Sequence, residues 1–138
     1  MVNEWVKVEL YGNNGDGQPR RYTIADGTAV SKGTLLALTD PRTVTASDGT
    51  TVVFAGVAAE SHSPGLGVTS ITAFTQGIFE ATASLAIGIG TPITGTTTKA
   101  NDLNFVGAAG VLLSGASVIG YTLETATNAE TINVRLNL

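Results

Sequence analysis

Cysteine is absent from the 138 residues. Disulfide staples and thiolate metal ligands are therefore excluded, and redox compartment leaves no mark on the chain. Histidine occurs once, which excludes a multi-histidine zinc site. Charged residues make up 13% of the chain, against roughly 25% in an average soluble domain. No apolar run approaches the ~20 residues that a membrane-spanning helix needs. The opening Met-Val-Asn-Glu-Trp-Val-Lys has neither a basic nor an apolar leader region, so no secretory signal is expected. The formal charge is −4 with the charges scattered singly, which argues against nucleic acid as a partner. Aromatic residues are few and dispersed, a poor basis for a sugar-stacking platform.

What the chain does have is glycine, threonine and alternation. Its length suits one domain with a real core. So little charge gives a free monomer little to stay soluble with. The expectation is a surface partly covered by sister subunits or by a larger assembly. A hydroxyl-rich surface, hydrated by threonine and serine, is the plainer alternative.

Near the end of the chain, Ile132, Val134, Leu136 and Leu138 alternate with Thr131, Asn133, Arg135 and Asn137. Period two places the apolar set on one face of a strand. Ile119, Tyr121 and Leu123 repeat the pattern, and the short polar run 125–129 predicts an antiparallel pairing of the two strands. Upstream, Asp26-Gly27, Asp48-Gly49, Asp40-Pro41 and Ser63-Pro64-Gly65 punctuate further short strands. Residues 71–80 supply a strand pair or one bent strand. No segment of helical length carries an apolar stripe; 108–114 and 123–129 are the nearest candidates. The prediction is an all-β protein, barrel or sandwich, with little helix.

Residues 1–21 differ from the rest. Trp5, Val6, Val8, Leu10 and Tyr11 put apolar groups on both faces of a short strand. The run from Gly12 to Arg21, rich in glycine and asparagine, cannot hold regular structure. We expect an N-terminal arm and tether over 1–21, docking on a partner or neighbour, and a compact β domain over 22–138. An ordinary first strand with a long loop is the alternative. Within the domain, Gly33-Thr34 is echoed by Gly90-Thr91, and a Gly-x-x-x-Glu run recurs as Gly56 to Glu60 and Gly120 to Glu124. Glycines inside strands mark bulges or close backbone crossings, which predicts pseudo-symmetric halves of one small barrel.

Candidates for chemistry are sparse. His62 lies between Ser61 and Ser63, but neighbours on a strand point apart and no nucleophile elbow accompanies them. It is expected to be a solvated loop residue without partners. Asn14-Gly15-Asp16-Gly17 lacks the bidentate glutamate of a calcium loop. Gly65-x-Gly67 and Gly88-x-Gly90 lack the strand–helix context of a phosphate loop. The chain is expected to be no enzyme and to hold no metal or cofactor.

Taken in order, Gly33-Thr-Leu-Leu-Ala-Leu38, Phe54-Ala-Gly-Val-Ala-Ala-Glu60, Gln76-Gly-Ile-Phe-Glu80, Gly90-Thr-Pro-Ile93, Ile119-Gly-Tyr-Thr-Leu-Glu124 and the terminal Ile-Asn-Val-Arg-Leu form a pattern. Over about residues 22–138 it resembles the capsid decoration, or cement, proteins of tailed bacteriophages. The resemblance implies a small β-barrel or β-tulip-like domain on the outer surface of the virion. It implies homotrimers at three-fold positions of the expanded shell, with the major capsid protein as partner and synthesis in the host cytoplasm. Residues 1–21 are longer than the start typical of that family. A β-sandwich binding module, from a virion fibre or for carbohydrate, is the alternative reading.

Overall fold

The computed structural model describes residues 3–9, 19–47, 53–95, 101–105 and 118–138, and every regular element among them is a β-strand. The protein is all-β. Strand β1 (Val6–Glu9) comes first. Strands β2 (Arg20–Ile24), β3 (Leu35–Thr39), β4 (Thr43–Ala46), β5 (Phe54–Ala58) and β6 (Ser70–Phe74) close a barrel in the order β2-β4-β3-β5-β6. Strands β7 (Gln76–Thr82), β8 (Pro92–Gly95), β9 (Leu103–Phe105), β10 (Gly120–Thr122) and β11 (Thr131–Asn137) follow. With β1 they form a six-stranded sheet ordered β1-β7-β11-β10-β8-β9. The alternation in β11 does what its period requires, burying Ile132, Val134 and Leu136.

The two halves of the chain are built alike. In the first, Leu36 on β3 faces Gly56 on β5; in the second, Ile93 on β8 faces Gly120 on β10. Isolated bridges join Val30 to His62 and, at the matching place, Ile87 to Ala126. The parallel pairing of Ile24 with Val44 closes the first barrel, and a parallel bridge between Ala83 and Leu103 stands in the same position. Glu60 accepts a hydrogen bond from the amide of Thr72 at 3.1 Å, and Glu124 accepts one from Asn133 at 2.6 Å. The echo in the sequence is thus a duplicated five-strand unit. Each half forms its own small barrel or near-barrel, which corrects the expectation of two halves sharing one.

Matched positions also fill matched interiors. Ile24, Val30, Leu36, Val44 and Ile71 pack inside the first unit, and Ala83, Ile87, Ile93, Leu103 and Ile132 take their places in the second. The outer faces of β3, β5 and β6 turn Leu35, Val57 and Phe74 towards the second unit, in one continuous apolar cluster. This is why β5 is buried along its whole length.

The N-terminal segment belongs to that junction. Trp5 is 3% exposed, and its ring lies 6.1 Å from Phe79, which in turn lies 5.8 Å from Phe74. The indole N–H donates to the Asn101 carbonyl at 2.9 Å, and the Trp5 amide donates to Gly33 at 2.7 Å. Strand β1 then pairs antiparallel with β7, Val6 opposite Glu80. The expectation of a detached arm is therefore corrected for residues 3–9. A large aromatic with a satisfied N–H gains far more from the core than from water. Arg20 and Arg21, taken from sequence as the end of the tether, are strand residues of β2. Leu10, Tyr11 and the Asn14–Gly17 run lie outside the described residues.

Gly56 and Gly120 are places of close approach. Gly56 adopts a φ of 150°, and a Cβ there would strike the carbonyl oxygen of Phe74. At Gly120 a Cβ would strike the carbonyl oxygen of Arg135 on β11. A register shift between Leu36 and Ala37 against β5 adds a bulge beside Gly56.

Candidate interaction surface

His62 is buried, 5% exposed, contrary to the expectation of a solvated loop residue. Its backbone makes both hydrogen bonds of the bridge to Val30. Its ring fills the space between two carbonyls: Nδ1 lies 2.6 Å from the Thr28 oxygen and Nε2 lies 2.7 Å from the Val68 oxygen. Both partners only accept. A neutral imidazole has one N–H to give, whereas the imidazolium has two and satisfies both. The carbonyls of Val68 and Thr28 accordingly hold the His62 pKa above its ordinary value, against burial, with help from Asp26 and Glu60. Among the described residues both ring nitrogens are taken up by backbone carbonyls, not by the hydroxyl and carboxylate of a triad. The residue ties down the loop 63–69, on which Leu66 and Val68 are exposed.

Strand β1 presents a second surface. All four of its residues are exposed, Val6 and Val8 each by about half. Of the apolar residues expected to make contacts, these two face solvent, while Trp5 is committed to the core. Lys7 reaches back over the Phe74 ring, 5.5 Å from its centroid.

The third feature is a groove of about 580 Å³ between the two units. Leu38, Phe54 and Ala55 of the first unit and Val118 and Leu138 of the second form its apolar lining. Arg20, Tyr22 and Arg42 line its first-unit side. The Arg42 guanidinium lies 5.5 Å from the Tyr22 ring centroid and donates one hydrogen bond to the Arg21 carbonyl at 3.2 Å. Arg21 points away and donates to Ser70 and Thr72. Among the described residues none of the three arginines has a carboxylate partner. Sequence reasoning does not find this groove. Arg20 and Arg42 are apart in the chain and meet only because β2 and β4 run side by side.

No protein-family model and no curated protein matches the sequence. Among solved structures the fold is similar to the N-terminal base of head fiber gp8.5 from bacteriophage phi29. The TM-score is 0.52 at 17% identity, over 86% of this chain and 94% of that one. At this identity the likeness is one of fold.

Proposed function

We propose that the chain is a structural protein of a tailed-phage virion, seated on the outer surface of the head and stabilising the expanded shell. The observation that carries this reading is the fold likeness, which spans nearly all of a head-fibre base and most of this chain. The ordered motifs that resemble capsid decoration proteins support it independently. So do a chain with only 13% charged residues and the exposed Val6, Val8, Leu66 and Ile89, which suit a protein that works in contact with others. The partners are the major capsid protein and two further copies of the chain, in a homotrimer. The role needs no catalysis, cofactor, nucleic acid or membrane.

The mechanism is thermodynamic. A ligand that binds only the expanded lattice lowers that state's free energy at every occupied site. Many modest sites together then oppose rupture of the filled shell. Purified protein added to expanded heads that lack it should co-sediment with them and add density at three-fold positions in electron micrographs. Failure to bind expanded heads ends the proposal. The same fold likeness favours a second reading, a base that seats a longer appendage. Particle-bound polypeptide longer than this chain would select it.

A further inference from the structure

We propose that the groove between the two units is a docking site for an acidic protein segment, with Arg20 and Arg42 as its guanidinium donors. The inference rests on the reading above and names the surface through which the protein meets its partner.

The duplicated fold provides an internal control. Arg20 pairs with Ala73 where Phe79 pairs with Val134, so Arg20 and Phe79 are matched positions. By the same ladders Tyr22 matches Ala81, and Arg42 matches Asn101, each two residues before the matched parallel partners Val44 and Leu103. The fold is built once without these side chains, so it does not demand them. Arg42 is the sharper case. It has a φ of 50° and Asn101 a φ of 68°, both in the left-handed region. Asparagine is suited to that backbone and arginine is not. The first unit therefore keeps arginine against local preference.

The charge is localised as well. Two of the four arginines, Arg20 on β2 and Arg42 just before β4, line this one groove in a chain of net charge −4. The Tyr22 ring and the Arg21 carbonyl fix the Arg42 plane while using one of its five N–H donors. What remains is a pre-oriented fork, the geometry that recognises carboxylates. The apolar lining beneath asks for aliphatic side chains between the acids, which a polypeptide supplies. A sugar would want open aromatic faces, but Phe54 is 5% exposed and Arg42 lies over Tyr22. The overall negative charge disfavours a nucleic acid.

The test is fluorescence anisotropy on the full chain. The probe is a labelled ten-residue glutamate peptide with leucine at two positions, and the competitors are a heparin oligosaccharide and single-stranded DNA. The variant is Arg20→Gln/Arg42→Asn, which places at 42 the residue the second unit uses on the same backbone. Lys7→Gln/Lys32→Gln removes the same charge elsewhere. We expect the peptide to bind wild type and the lysine variant alike, and the arginine variant at least about tenfold more weakly, with loss at high salt. Equal binding by the arginine variant overturns the proposal, as does preference of wild type for heparin or DNA. A wild type that ignores the peptide, with an oligomer that dissociates in the arginine variant, also overturns it, making the groove a subunit interface. Co-sedimentation with expanded heads separates the two levels. Heads that bind wild type and arginine variant equally refute the groove and leave the virion role standing; heads that bind neither protein refute the virion role, while the peptide titration still decides the groove.

Discussion

The indole of Trp5 hydrogen-bonds to the backbone carbonyl of Asn101, and the side chain of the same Asn101 accepts the amide of Leu35. One asparagine thereby ties together the N-terminal segment, the first unit and the second. Asn3 adds a bond to neighbouring Asp102 at 2.8 Å.

Replacing Trp5 by alanine should therefore act as a core truncation, costing ~3–5 kcal/mol. Chemical denaturation followed by circular dichroism measures it, since the variant lacks the only tryptophan. Removing residues 1–9 should be at least as damaging. A deletion that unfolds at the wild-type denaturant concentration would show that β1 is dispensable.

At Gly120, alanine is already too large, because the first atom it adds meets backbone rather than a side chain that can swing away. Gly120→Ala and Gly56→Ala should each cost more than ~3 kcal/mol, beyond the range of routine substitutions. Gly27→Ala, with open space around the added atom, should change the melting temperature little.

His62 predicts a pH dependence whose sign is fixed by its partners. Its pKa is raised in the folded protein. The stabilisation is complete below the unfolded value of about 6.5 and is lost as pH rises through the folded value. The stability gap between wild type and His62→Ala should be larger at about pH 5 than at about pH 8.5. Ring-proton NMR should give a midpoint above that of a free histidine. A gap that widens towards alkaline pH would refute the two-carbonyl account.

Glu60→Ala and Glu124→Ala should be equivalent, each removing one acceptor from a strand amide and each costing about 1 kcal/mol. Because the sites lie in separate units, the double variant should show the sum within a few tenths of a kcal/mol. Urea titrations of the four proteins check both points.

The strands were legible because burial on one face imposes period two, as β11 shows. The Gly-x-x-x-Glu repeat was legible because a close crossing at Gly120 excludes every other residue. That each half forms a separate unit was not. Closure depends on parallel pairing between distant segments, Ile24 with Val44 and Ala83 with Leu103, which leaves no local pattern. The burial of His62 leaves no sequence signal because its partners are backbone carbonyls, which every residue possesses. For Trp5, alternation shows that a side chain seeks cover without showing that the cover is Phe79 and Asn101. The arginine groove depends on β2 lying beside β4, and neither strand announces the other.

Strand β7 lies between β1 and β11 and is antiparallel to both, so β1 and β11 point the same way. Val6 stands level with Glu80 and Asn133, while Asn137 stands level with Gln76 at the opposite end. Tension applied between Val6 and Asn137 would then slide these strands along β7 instead of peeling them from it. Sliding loads the β7–β11 bonds together, whereas peeling would load them one after another. The protein is arranged to resist a pull along its chain.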